Sequence, residues 1–290
     1  MVIMNRLDIS SRAQVIRCLI EGNSVRSTVR MTGVAKNTVV KLLVEIGAAC
    51  EEYENKTLRN LKCKRVQCDE IWSFVYAKQK NVTREIAARQ TAGDIWTWTA
   101  LDADSKLVVS WMVGGRDAAT AKCFMDDLAD RLASRVQLTT DGHRVYLNAV
   151  EDAFGSEVDY AMLVKIYGAD AADDSKYSPA ECIDCKPIAI TGHPDPKHIS
   201  TSYVERQNLS MRMMMRRFTR LTNGFSKKVE NHAAMLSLYF FYYNFCRVHQ
   251  TLRVTPAMEA GVSDHVWGID EMVSILNAKE GESQRRKNSN

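Results

Sequence analysis

The chain has 290 residues, 46% hydrophobic and 26% charged, with a mean hydropathy of -0.26, which allows a buried core and excludes wholesale disorder. It holds no run near the roughly 18 uninterrupted apolar residues of a membrane span, no signal-peptide core at its start, and eight cysteines too scattered for a disulfide scaffold, so a soluble cytoplasmic protein with reduced thiols is expected. The net charge of +4 divides into +6 over residues 1–66, -7 over 67–198, +7 over 199–258 and -2 from 259 onward; two basic blocks flanking an acidic one suit a nucleic-acid protein whose middle gathers carboxylates for metal, although solvated surfaces give the same pattern.

From Ser11 to about Cys50 the apolar residues recur at helical spacing (Val15, Ile16, Leu19, Ile20; Val25, Val29; Val39, Leu42, Leu43, Ile46), which predicts three short helices. Gly22-Asn23-Ser24 ends the first and caps the second, and Thr32-Gly33 is the turn before the third. This is the outline of a helix-turn-helix whose third helix would present Lys36, Asn37, Thr38 and Lys41 to double-stranded DNA; a three-helix bundle with no DNA role has the same periodicity. A polar connector helix completes a region of residues 1–65.

Next come five segments of strand character, residues 66–76, 95–102, 106–114, 136–141 and 159–167, with helices predicted over 118–133 and 146–154. The expectation is an α/β or α+β fold, a mixed five-stranded sheet flanked by helices within a domain of residues 66–261, with Trp72, Trp96, Trp98 and Trp111 in its core. Residues 168–198 hold four of the five prolines and read as a loop insertion. A basic helix is expected from Ser200 to about Arg220 and an aromatic core helix from Lys227 to Cys246. Residues 262–290 read as a C-terminal helix with a disordered polar tail from Lys279.

This order can bring together Asp69 from the first strand, Asp141 from the end of the fourth and Glu205 from the basic helix. An ionised Asp69 among Cys68, Ile71, Trp72 and Phe74 is costly to bury unless a cation compensates it. Strand alternation sends Glu70 to the opposite face. Oxygen ligands without histidine favour Mg²⁺ or Mn²⁺, and two such ions support an in-line phosphodiester displacement. Helical spacing from Glu205 puts Asn208, Arg212 and Arg216 on its face, where DNA phosphates would pass. Each acid also has an ordinary reading: Glu205 completes a capping box with Ser202, Asp69 is a hydrogen-bonded buried acid, and Asp141 is a turn residue.

The stretch Ile199-Ser-Thr-Ser-Tyr-Val-Glu-Arg-Gln-Asn-Leu209, the basic helix after it, and Tyr243-Asn-Phe-Cys-Arg-Val-His-Gln-Thr-Leu-Arg-Val-Thr-Pro-Ala-Met258 resemble bacterial insertion-sequence transposases of the DDE class, in the retroviral-integrase-like superfamily, and in particular the insertion sequence one family. The resemblance spans roughly Val66 to Gly261 and implies an RNase H-like core, two divalent ions, and cleavage and joining of DNA strands at element ends. It matches Asp69, Asp141 and Glu205 to the family's acidic triad and Arg212 to its following basic residue. It also implies DNA ends and target as partners, a homodimer or higher multimer on DNA, no membrane, and a bacterial, nucleoid-associated location. The chain departs from the family in its longer gap from Asp141 to Glu205 and in lacking an N-terminal cysteine-rich zinc motif. A catalytically inactive DNA-binding regulator and a structure-specific nuclease of the same fold stay open as alternatives.

Cys182-Ile-Asp-Cys185 with His193 and His198 offers four potential zinc ligands. His143, two residues after Asp141, can contact the site or DNA or serve as a turn residue, and Arg247 and His249 can touch DNA or cap the aromatic helix.

Overall fold

In the computed structural model the described residues are 7–89, 91–168, 182–219 and 223–288. They divide into two compact units, one of Met1–Arg59, Trp72–Trp96 and Asn208–Asn290, the other of Asn60–Ile71 and Thr97–Gln207.

The first unit is largely helical. Helix α1 (Ile9–Ile20) starts where the Asp8 carboxylate accepts the Ser11 N–H, and α2 (Val25–Thr32) where the Ser24 hydroxyl accepts the Ser27 N–H. Gly33, at φ 71°, closes α2 in the left-handed conformation that glycine adopts without penalty. The next helix is longer than periodicity suggests: α3 runs unbroken from Lys36 to Thr57, so the expected third helix and the expected connector are one element. It packs on α8 (Val229–Phe241), which continues as a π-turn to Cys246, and on α10 (Ile269–Asn288). Tyr53, Phe241, Phe245 and Trp267 meet there with ring centroids 4.8–5.8 Å apart. The α10 backbone stays helical through residue 288, into the polar stretch expected to be disordered.

Helices α3 and α8 approach closely at Gly47, where an added Cβ would lie 2.6 Å from the Ala234 carbonyl oxygen and 2.7 Å from its Cα. The Ser237 hydroxyl donates to the Gly47 carbonyl at 2.6 Å. Helix propensity favours replacing this glycine by about 1 kcal/mol, but backbone atoms cannot retreat as a flexible side chain would. Gly47→Leu is therefore expected to destabilise the protein, by about 1–3 kcal/mol or more; an unchanged denaturation midpoint would contradict this packing.

His232 of α8 is fully buried, its Nε2 3.3 Å from the Ser73 hydroxyl. Burial, with the nearby Arg217 charge, pushes its pKa down to about 3. Because the unfolded chain takes up this proton near pH 6.5 and the folded chain only near 3, stability is lost as pH falls through that window, by about 3 kcal/mol at pH 4. His232→Gln should flatten that loss in denaturant titrations at pH 7 and 4; an unaltered pH profile would rule His232 out as its source.

Most of the sheet falls in the second unit, with the end of its first strand and the start of its second in Trp72–Trp96 of the first. Strands β1 (Arg65–Val75), β2 (Gly93–Asp102), β3 (Val108–Gly114), β4 (Val136–Asp141), β5 (Val158–Tyr167) and β6 (Cys182–Thr191) lie in the order β3-β2-β1-β4-β5-β6. Strands β1, β4 and β5 are parallel neighbours, and β6 runs antiparallel along β5. The fold is α+β, a mixed six-stranded sheet flanked by helices.

That strand corrects the expectation of five, since residues 182–191 were read as loop. Residues 169–181 of the expected insertion lie outside the described residues. Helices α5 (Ala118–Arg131) and α6 (Val145–Phe154) pack together over fully buried Trp98, Phe124, Leu128, Tyr146 and Val150. Of the four tryptophans assigned to the core, Trp98 is fully buried and Trp72, Trp96 and Trp111 are half-buried.

Candidate active site

The parallel β1–β4 ladder aligns Cys68 with Thr140, so Asp69 and Asp141 emerge side by side where β4 ends. Asp69 is half-buried, and its Oδ1 accepts the Glu70 N–H at 2.9 Å. Asp141 Oδ1 accepts the His143 N–H at 3.0 Å.

Glu70 belongs to this cluster as well: carboxylate oxygens of Asp69, Glu70 and Asp141 all lie within 4.8 Å of one another, and among the described residues this is the group able to hold a metal ion. The expectation that Glu70 faces away is corrected. Successive strand residues alternate whether or not a neighbour stands beside them, but β4 ends at Asp141, and there the Glu70 carboxylate comes within reach of those of Asp69 and Asp141. Glu70 is buried, with Oε1 accepting from Arg116 Nε at 2.7 Å and Oε2 from the Tyr146 hydroxyl at 2.9 Å. Arg116 Nη2 also lies 3.9 Å from Asp141 Oδ2. Burial, with the charges of Glu70 and Asp141 beside it and a smaller effect from Glu205, pushes the Asp69 carboxyl up to about 7. Burial also raises the Glu70 carboxyl, against the pull of Arg116 and Tyr146.

Glu205 lies in the first turn of α7 (Ser202–Met214). That helix is capped from β1, the Gln67 side-chain oxygen accepting the Tyr203 and Val204 N–H groups at 2.9 and 3.2 Å. Two groups hold the Glu205 carboxylate, the Thr201 hydroxyl and Lys165 of β5, whose Nζ is 2.5 Å from Oε1. Burial opposes the Lys165 charge, but the Glu205 hydrogen bond and charge outweigh it and hold the ammonium above its ordinary pKa. Glu205 is thus outside the group of three, yet near enough to disfavour ionisation of Asp69.

The capping-box reading of Ser202 shifts by one residue, because Thr201 is the partner. His143 stacks beside Trp98 at 6.4 Å and edge-on to Tyr146, with its Nε2 buried and lacking a hydrogen-bond partner. Gln67, Glu70, Arg116, Tyr146 and Lys165 carry no local sequence signal; only the adjacency of Glu70 to Asp69 pointed to any of them.

The four zinc candidates do not assemble. Cys182 and Cys185 lie 3.7 Å apart through sulfur and His198 Nδ1 pairs with Arg65 at 2.6 Å, and among the described residues the four are not part of a group able to hold a metal ion. Asn208 also differs from expectation, being 7% exposed. It falls on the inward stripe of α7 with Val204, Gln207 and Met211, so helical spacing was right and its phase was not. Arg212 is half-buried and Arg216 exposed, the latter in a separate 3-10 turn because α7 ends at Met214.

A second feature lies within the helical unit. Lys36, Asn37 and Lys41 at the start of α3 share a cavity of 1290 Å³ with Arg216, Arg26, Lys227 and Lys228, over an apolar floor that includes Val40, Phe225 and Met235. Residues singled out from two distant segments therefore line one cationic groove. Thr38 is half-buried and is not part of its lining. Arg247 is exposed with its guanidinium 2.8 Å from the Met214 sulfur, and the His249 N–H closes a turn onto Val254.

No protein-family model and no curated protein matches the chain. Solved structures similar to it include a piggyBac transposase synaptic complex with hairpin DNA, at 9% identity and TM-score 0.41 over 96% of this chain and 72% of that one. The Mos1 transposase paired-end complex with left transposon end has 15% identity and TM-score 0.23 over 53% and 59% of the two chains. The Mos1 strand transfer complex has 14% identity and TM-score 0.24 over 81% and 77%. At these scores the similarity assigns no residue and no activity.

Proposed function

We propose that the chain is a DNA transposase of the DDE class, which cleaves DNA strands at the ends of a mobile element and joins them to target DNA. The observation that carries this reading is the crowding of Asp69, Glu70 and Asp141 where two parallel strands end, with Glu205 close enough to add to their mutual repulsion. Such a cluster fits a divalent cation: the donors are hard carboxylate oxygens, and an Asp69 carboxyl pushed up to about 7 marks negative charge that a cation would relieve.

Asp69, Asp141 and Glu205 are the residues that would hold Mg²⁺ or Mn²⁺, in the two-ion manner the resemblance implies. When bound, such ions stabilise charge on the attacking and departing oxygens of an in-line phosphodiester displacement. The chain's own residues prepare that step. Arg116 and Tyr146 engage both oxygens of Glu70 and limit the local negative charge, while Lys165 and Thr201 fix the Glu205 carboxylate. The DNA-facing role falls to Lys36, Asn37, Lys41 and Arg216 of the groove, together with Thr38 and Arg212, in a region of residues 1–65 for end recognition and 66–261 for chemistry. Two element ends must meet before joining, so a homodimer or larger multimer forms on DNA. No helix among the described residues is long and apolar enough to cross a membrane.

The test uses the DNA flanking this gene as substrate, with Mg²⁺ and purified wild-type or Glu205→Gln protein, mapping nicks and joined products. Cleavage and joining at inverted ends, lost in the variant, supports the proposal. Cleavage that never yields joined strands would move the reading to a nuclease, and end binding by folded protein without cleavage to a DNA-binding regulator.

A further inference from the structure

Strand β6 carries a feature outside the DNA-processing role. Residues three apart on a regular strand face opposite ways, so Cys182 and Cys185 should be separated by the sheet. The β5–β6 register, however, pairs Lys165 with Cys185, Ile166 with Asp184 and Tyr167 with Cys182, leaving Ile183 as the extra residue of a bulge. Lys165 and Tyr167 lie on one face of β5, so the bulge turns both cysteines onto that same face, with their sulfurs 3.7 Å apart. Both side chains are exposed. Cys18, Cys50, Cys63 and Cys68 are buried, and exposed Cys123 lies outside this strand.

We propose that Cys182 and Cys185 form a reversible dithiol–disulfide site, oxidised by low-molecular-weight disulfides such as glutathione disulfide. One protein thiolate attacks a sulfur of glutathione disulfide; that bond breaks, and one glutathione leaves as a thiolate that takes up a proton. The second protein thiolate then attacks the mixed disulfide at the cysteine sulfur and expels the second glutathione, so the protein loses two electrons and two protons while one glutathione disulfide becomes two thiols. The sulfurs need to close from 3.7 Å to about 2.05 Å, a small movement at an exposed bulge. The bond forms on the face carrying Lys165, the residue that holds Glu205, so oxidation stiffens the strand pair that anchors this carboxylate.

Reduced full-length protein is equilibrated with equal concentrations of glutathione and glutathione disulfide, its free thiols are alkylated, and its peptides are mapped by mass spectrometry. The expected result is loss of both alkylatable thiols at Cys182 and Cys185 and a peptide lighter by two hydrogens, while Cys123 is alkylated or carries glutathione. Cys182→Ser should convert the internal bond into a glutathione adduct on Cys185. Alkylation of both cysteines under conditions that modify Cys123, glutathione on both without an internal bond, or protection of the pair by stoichiometric zinc would each overturn the proposal. No catalytic readout is needed, so its failure leaves the transposase reading untouched.

Discussion

Asp69→Asn is expected to lower DNA cleavage and joining by about a thousandfold or more, a loss of roughly 4 kcal/mol of transition-state stabilisation, while making the metal-free protein more stable at pH 8. Burial beside Glu70 and Asp141 pushes the Asp69 carboxyl up to about 7 from the ordinary 3.8. The folded chain therefore holds this proton over a pH range in which the unfolded chain has released it, and stability falls as pH rises from about 4 to 7. At pH 8 the asparagine variant avoids that cost and should gain about 2–4 kcal/mol in denaturant titrations, with the gain vanishing near pH 4. Wild-type cleavage rates in the variant, or equal stabilities at pH 8, would contradict the placement of a costly charge at this position.

The second large effect concerns the groove. Replacing Lys36, Lys41 and Arg216 together by Ala should weaken double-stranded DNA binding by about a hundredfold at physiological salt and reduce the salt slope by about 2–3, because each cation displaces counterions from phosphate. The loss should be similar for all sequences, since phosphates carry no base identity. Asn37→Ala provides the contrast: a residue that reads base edges would change which sequence binds, by about 1–3 kcal/mol at one position. Unchanged affinity in the triple variant, with the fold verified, would assign DNA contact to another surface.

How much of this was legible in the sequence depended on whether the signal was local. Strands β1 to β5 carry β-branched and aromatic runs that declare themselves, and Ser24 and Gly33 mark the ends of α2. Strand β6 has no such signal: its residues are mostly exposed, so burial imposes no alternation, and Pro187 reads as a breaker although it is tolerated opposite Leu163. Asp69 and Asp141 stand out as candidates in the sequence because strand ends and burial make an acid conspicuous, and the structure brings their carboxylates together. The groups that manage their charge come from distant segments: Arg116 precedes α5, Tyr146 lies in α6 and Lys165 in β5. No periodicity reports such long-range pairing. Asn208 failed for a different reason, because a spacing of three residues from Glu205 fixes a stripe of the helix but not which stripe faces inward.

Direct titration of the protein with Mn²⁺, followed by calorimetry at pH 7.5 for wild type, Asp69→Asn and Asp141→Asn, tests the central claim that these carboxylates form a divalent-cation centre. The account predicts saturable binding to wild-type protein, accompanied by proton release and a rise in thermal stability, and at least about tenfold weaker binding in each variant. Equal binding by all three proteins, or none by folded wild type, would contradict it.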